Sequence, residues 1–208
     1  MSTKPNTMTR TAETEARLVT AARDQLVRLG AEGISMRAIA ADAGVTAGAI
    51  YRHFPNKEAL LARVIHESFE RFEKSLWRGI SSLPVGSLER LQSLGEAYIS
   101  FAINSREDFR ILFAVRSDNP TKLSDLPSRA GYGILKQCVV EAIEVGQIRR
   151  DDPALISIFL WSRVHGAAML LFACDLSEEM AALKGRNGPL ELFHRTTKLL
   201  FEGLRPEA

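Results

Sequence analysis

Residues 33–60 limit how this chain can fold more than any other segment. Two apolar stripes at helical spacing lie on either side of Gly44, and each is too short for a helix that is stable alone in water. The first stripe contains Ile39, Ala40 and Ala43, and the second contains Ile50 and Phe54. Gly44 suits a sharp turn through positive φ, Val45 can fill the turn from the core side, and Thr46 suits an N-cap. The segment therefore predicts two short helices joined by a tight turn.

Longer amphipathic helices are predicted on both sides of this pair. The preceding helix ends at Gly30 and carries one apolar face, made of Leu18, Ala22, Leu26 and Leu29. The following helix starts after Asn56, a good N-cap, and its apolar positions continue to Phe72. A tight turn between two short helices of this kind predicts a helix-turn-helix, a unit that places its second helix in the major groove of DNA.

Several short motifs of this region carry a family resemblance. They are Leu29-Gly30, Ile39-Ala40, Ala43-Gly44-Val45, Gly48-Ala49-Ile50-Tyr51 and Phe54-Pro55-Asn56-Lys57-Glu58-Ala59-Leu60. Together they resemble the N-terminal domain of the tetracycline-repressor-like (TetR) family of bacterial regulators, over about residues 11–72. The resemblance implies a three-helix DNA-binding domain followed by a helical domain for ligand binding and dimerisation.

The remainder of the chain shows no alternation typical of strands, and helical periodicity continues to its end. Helical runs cover residues 87–104, 106–116, about 128–145, 153–173 and 189–204. We therefore expect an all-α protein of about nine helices. The expected organisation is a disordered arm over 1–10, the DNA-binding domain over 11–72, and the C-terminal ligand-binding and dimerisation domain over 73–208.

The run that begins at Pro153 is apolar nearly all round, so it predicts a helix that is buried on every side, in part against another subunit. With the last helical run it resembles the dimerising helix pair of the TetR family, which implies a homodimer. Trp161, His165 and Gly166 further resemble the tryptophan–histidine–glycine signature of one C-terminal subgroup.

The charge distribution and the two cysteines indicate which kinds of site the chain can form. A formal net charge of +2 is too small to indicate nucleic-acid binding, but Arg37, Arg52, His53 and Lys57 cluster in the predicted motif. Cys138 and Cys174 form no disulfide framework and no metal-ligand spacing, so we expect buried, reduced thiols.

No hydrophobic leader is present at the N-terminus, and charged residues interrupt the apolar stretch over 154–176. A membrane span is therefore not expected. The sequence predicts a soluble, cytoplasmic protein.

Contacts with DNA can be assigned to phosphate or to base edges. The candidates for phosphate are Ser35, Tyr51, Arg52, His53 and Lys57, and the resemblance implies this role for Tyr51, His53 and Lys57. The candidates for base edges are the small residues Thr46, Ala47, Gly48 and Ala49, and Arg37 can contact either guanine or phosphate. Many relatives carry a longer side chain near Ala47, so we expect modest direct readout that is supplemented by DNA shape.

The resemblance also implies a small-molecule effector in the C-terminal domain. The residues predicted to contact it are Phe101, Phe113, Trp161, His165 and Met169. No catalytic group, metal site or cofactor is predicted, because no nucleophile–base pair, P-loop or metal spacing occurs.

These features predict a transcriptional regulator that binds a palindromic operator in double-stranded DNA as a dimer and is released by a small apolar or aromatic effector. A repressor is favoured, and an activator remains open. A helical protein–protein adaptor and an all-α enzyme without DNA binding remain the alternatives.

Overall fold

A computed structural model describes residues 7–113, 129–174 and 188–203. Within these ranges every regular element is a helix, which confirms the predicted all-α fold. The described residues form nine helices, which are α1 (Thr7–Gly33), α2 (Met36–Asp42), α3 (Ala47–Ile50), α4 (Lys57–Ile80), α5 (Leu88–Asn104), α6 (Arg106–Phe113), α7 (Arg129–Glu144), α8 (Pro153–Ala173) and α9 (Gly188–Gly203).

The chain divides into two compact units, and the division does not follow the order of the sequence. The first unit contains α1, α2, α3, the part of α4 up to Glu70, and α6 from Glu107 onward. The second contains α4 from Arg71, together with α5, α7, α8 and α9. Since α6 lies within the segment 73–208, the first unit is built from more than the predicted residues 11–72.

The core of the first unit is formed by the apolar faces that the sequence predicts. Its fully buried members come from α1, α2, α3 and α4, and Ile111 of α6 belongs to the same cluster. They include Leu18, Ala22, Ile39, Ala40, Ile50, Leu60 and Val64. A part-buried polar contact adds to this packing, because Nε2 of Gln25 donates to Oδ2 of Asp42 at 2.6 Å and so joins α1 to the end of α2.

In the second unit, Phe72 packs edge-on against Tyr98 and Phe101, with ring centroids 5.3 and 5.1 Å apart. Buried Arg90 satisfies the C-terminal end of α4, since its Nη1 donates to the carbonyl of Ile80 at 2.7 Å and to that of Leu83 at 3.1 Å. Carbonyls at the last turn of a helix have no partner within the helix, so this contact supplies one.

Two sequence predictions on local structure are wrong. The arm predicted to be disordered over residues 1–10 is helical from Thr7, because no glycine or proline interrupts the chain between Asn6 and Leu29. Residues 1–6 lie outside the described ranges. Cys138 is buried as predicted, whereas Cys174 is exposed because it caps α8 beyond its last turn.

Among the described helices, α8 alone has the length and the apolar composition that a membrane-spanning helix needs. One apolar stripe of α8 is exposed in the single chain, and its burial against another subunit stays a prediction. Its polar side chains make contacts within the second unit, where Arg163 Nη2 donates to Thr196 Oγ1 at 2.5 Å and His165 Nδ1 lies 2.8 Å from the Tyr98 hydroxyl.

Candidate nucleic-acid interface

The two short helices of the motif each begin at a hydroxyl cap. The side-chain oxygen of Ser35 accepts from the backbone N–H of Ala38, and that of Thr46 accepts from Ala49, both at 3.2 Å. Each cap satisfies one of the N–H groups that a helix leaves without a partner at its start. Each hydroxyl proton is still available to donate, so both side chains can bind an acceptor on DNA while they cap.

The turn between α2 and α3 has the predicted conformation. Gly44 adopts a φ of 66°, and the N–H of Val45 donates to the carbonyl of Ala40 at 2.9 Å. Val45 is half-buried against the core of the first unit. A left-handed backbone conformation costs free energy for L-amino acids but not for glycine. Gly44 therefore sets the angle at which α3 leaves α2.

Helix α3 presents a small, open surface. Ile50 is fully buried and fixes the rotation of the helix, while Thr46, Ala47 and Gly48 are exposed on the other side. A Cβ built on Gly48 would meet no atom within 4 Å. The surface can therefore approach the edges of base pairs closely, with Thr46 able to hydrogen-bond and Ala47 able to contact a thymine methyl group.

A cluster of cationic and aromatic residues follows α3. Tyr51 is 57% exposed, Arg52 is also exposed, and His53 and Lys57 are half-buried. Asn56 caps α4 as predicted, because its Oδ1 accepts from the N–H of Ala59 at 2.8 Å.

Arg37 is exposed on α2. Within the described ranges, no ion pair is formed by the cations Arg37, Arg52 and Lys57. Unpaired cations beside exposed hydroxyl groups are suited to phosphate oxygens.

The residues predicted to contact an effector belong to both units of the chain. Trp161 and His165 are neighbours on α8, with ring centroids 6.0 Å apart, and Phe101 is buried in the same unit against Phe72. Phe113 lies in the first unit, where it packs on Phe109 at 4.7 Å, and Met169 lies on the exposed stripe of α8.

The structure adds contacts that the sequence did not predict. Tyr98 lies beside His165, and Tyr132 packs on Trp161 at 6.1 Å, so α5, α7 and α8 share an aromatic cluster. Burial lowers the pKa of the His165 imidazole and raises the pKa of the Tyr98 hydroxyl well above its usual range. Both side chains are therefore neutral near pH 7. No local spacing could have indicated the pair, because the two helices are far apart in sequence.

In the part of the chain that the structure describes, no three side chains of His, Cys, Asp or Glu come together as a metal site would require. The arrangement that stands out is instead the exposed hydroxyl and cationic surface that spans α2, α3 and the start of α4. This geometry defines a helix-turn-helix DNA-binding protein.

Comparison with known proteins identifies the family. Residues 18–64 match the family model "Bacterial regulatory proteins, tetR family", and residues 91–184 match the model "Tetracyclin repressor-like, C-terminal domain". A similar curated protein is the HTH-type transcriptional repressor DhaR of Mycobacterium sp. (strain GP1), 29% identical over 67% of this chain and 73% of DhaR.

Solved structures show the same fold. A protein with unknown function from Rhodococcus sp. RHA1 is 25% identical, with a TM-score of 0.74 over 92% of this chain and 95% of its own. The transcriptional regulator FadR from Bacillus subtilis, solved in complex with stearoyl-CoA, is 18% identical, with a TM-score of 0.72 over 91% of this chain and 99% of its own.

The chain belongs to the TetR family, and it is a DNA-binding transcriptional repressor. The subgroup expected from Trp161, His165 and Gly166 is not tested by these matches and stays a prediction.

Proposed function

We propose that this repressor acts in the cytoplasm as a homodimer, binds a palindromic operator, and is released from it by a small apolar or aromatic effector. Its action is binding rather than catalysis. The bases are contacted by Thr46, Ala47, Gly48 and Arg37, and the phosphates by Ser35, Tyr51, Arg52, His53 and Lys57.

The observation that supports dimerisation is an exposed apolar stripe along α8. Five apolar side chains on one side of this helix are 38–59% exposed, namely Leu155, Ile158, Phe159, Met169 and Leu170. Their positions recur at intervals of three, four and eleven residues, so they lie on a single helix face. A contiguous apolar face of this kind marks an interaction site. A two-fold axis would place the stripe against its own copy.

Gly166 supports the same interface. It is exposed in the middle of the stripe, and a Cβ built on it would meet no atom within 4 Å. Glycine inside a helix is less favourable than alanine by about 1 kcal/mol, and nothing in the described part of the chain requires it here. A second helix that packs closely at this point would require it.

The variant Phe159→Glu tests the dimer in the full-length protein. A carboxylate in a self-associating apolar face is buried without a partner in both copies, so sedimentation should show monomer where the wild type shows dimer. Gln147→Glu, which adds the same charge at an exposed position outside α8, should leave the dimer intact. A dimer unchanged by Phe159→Glu would place the interface elsewhere.

Selection of bound duplexes from a random DNA pool tests the operator. Two recognition helices related by a two-fold axis predict inverted half-sites, with centres about one helical turn, or a multiple of it, apart. The monomeric form of Phe159→Glu should bind this operator much more weakly, because its two half-sites are no longer linked. Enrichment of a single, non-repeated site would contradict the proposal.

The aromatic cluster of the second unit supports an apolar effector, since Tyr98, Tyr132, Trp161 and His165 supply flat apolar surface with a few polar atoms. A thermal-shift screen of apolar and aromatic metabolites should find stabilising compounds. By reciprocity, a compound that releases the operator must bind more weakly to the protein–DNA complex, by the same factor. A compound that binds the free protein and the complex equally well is not the effector.

A further inference from the structure

We propose that Arg17 of α1, which lies outside the helix-turn-helix, is an additional contact to the DNA backbone. Nη1 of Arg17 is 3.8 Å from the position that a Cβ on Gly44 would occupy. The guanidinium group therefore lies at the turn that leads into α3, two residues before Thr46. This inference rests on the DNA-facing surface proposed above.

The direction of α1 supports this placement. Glu15 of α1 pairs with Arg63 of α4 at 3.9 Å, and further along both helices Arg23 pairs with Glu67 at 3.7 Å. The two helices thus run in the same sense, and the N-terminal half of α1 lies near the start of α4. That start carries Lys57, a proposed phosphate contact. Arg17 is consequently on the same end of the first unit as Lys57 and Thr46.

Arg17 is available for such a contact. It is exposed, and it forms no ion pair in the described part of the chain. Arginine suits this role because its planar guanidinium can donate two parallel hydrogen bonds to one phosphate group.

A carboxylate lies between Arg17 and Arg28 along α1. Arg17, Thr20, Asp24, Arg28 and Asp42 line one shallow groove beside α1. Asp24 is about 10 Å further along the helix axis than Arg17, in the direction of Arg28. Because carboxylates repel phosphates, we expect the DNA backbone to contact the Arg17 end of the groove and not Arg28, about 16 Å away.

Arg28 is therefore a matched control of the same residue type, in the same groove and on the same helix. The test is to titrate full-length Arg17→Ala, Arg17→Lys and Arg28→Ala with an operator duplex at several salt concentrations. Each neutralised phosphate contributes about 0.9 to the slope of log affinity against log salt. Arg17→Ala should bind several-fold more weakly with a slope smaller by about 0.9, while Arg17→Lys and Arg28→Ala should keep the wild-type slope.

Circular dichroism and thermal melting establish that each variant is folded, and Arg17→Gln replaces Arg17→Ala if the alanine variant is unstable. A wild-type slope for the neutral Arg17 variant would overturn the inference. An equal loss in Arg28→Ala would also overturn it, since the effect would then be one of net charge. Lys57→Ala distinguishes a failure of the Arg17 contact from a failure of the proposed DNA-facing surface. If Lys57→Ala weakens binding and Arg17→Ala does not, the surface is supported and Arg17 lies outside it.

Discussion

Nη1 of Arg23 in α1 lies 3.2 Å from Oδ1 of Asp108 in α6. The same carboxylate oxygen accepts from the hydroxyl of Ser68 in α4, at 2.8 Å. Asp108 is buried, so α6 is held in the first unit by a polar contact as well as by Ile111. A helix from the middle of the chain is thereby part of the unit that carries the DNA-binding motif.

Removing this carboxylate should destabilise the first unit. Asp108→Ala leaves the Ser68 hydroxyl and the Arg23 guanidinium without this buried partner, and we expect a loss of about 1–3 kcal/mol in the free energy of unfolding. Urea denaturation measures it. Arg110→Ala, an exposed arginine on the same helix, should change stability by less than about 0.5 kcal/mol. Equal stability of both variants would show that the contact contributes nothing.

Substitution of Thr46 should separate capping from recognition. Thr46→Ser keeps the capping hydroxyl and removes only the methyl group, so stability should be retained while base preference at one position changes. Thr46→Ala also removes the cap and should lower stability by about 1 kcal/mol. Thermal melting and selection from a random DNA pool measure the two effects. An unchanged base preference in Thr46→Ser would mean that its methyl group does not touch a base.

Lys57→Ala should weaken binding to every DNA sequence and reduce the salt slope by about 1, as expected for a phosphate contact. Lys74, an exposed lysine much further along α4, provides the control. Binding measured by fluorescence anisotropy over a salt series should show the wild-type slope for Lys74→Ala. A sequence-selective effect of Lys57→Ala would assign this lysine to a base rather than to phosphate.

Gly48→Ala should bind DNA less well without losing stability. The open space at Gly48 accepts a methyl group in the free protein, and alanine favours the helix, so the melting temperature should stay constant or rise. A backbone that approaches DNA closely would be held away by that methyl group. Gly133→Ala fills similarly open space on α7 and should leave DNA affinity unchanged. Full affinity in Gly48→Ala would show that α3 does not approach DNA at this residue.

His165 should make stability depend on pH below neutrality. Burial lowers its pKa in the folded protein below the ordinary value of about 6.5, so the unfolded chain binds more protons. The contribution of neutral His165 to the free energy of unfolding is complete above about pH 6.5. It is lost as the pH falls through the lower pKa of the folded state. Urea denaturation at several pH values should show a weaker dependence in His165→Gln, whereas the exposed His66→Gln should resemble the wild type. An identical pH dependence in His165→Gln would contradict this assignment.

The short-range features of the chain were decided by its sequence. Gly44 forms the turn, Thr46 and Asn56 form caps, and Ile39 and Ile50 point into the core, because each depends on a few neighbouring residues and on the helical period. The same local patterns identified the DNA-binding motif. The candidate DNA contacts follow from it, since a motif fixes which face of α3 remains exposed.

Only the tertiary structure decided which distant residues meet. It placed Arg17 at the turn beside Gly44, Asp108 against Arg23, and His165 beside Tyr98, and it assigned Phe113 to the first unit. It also showed which side of α8 is exposed within one chain, whereas the sequence predicted a contact with another subunit without giving the residues of that side. The physical reason is that helical periodicity tells which residues share a face, whereas the partner of that face depends on how all the helices pack together.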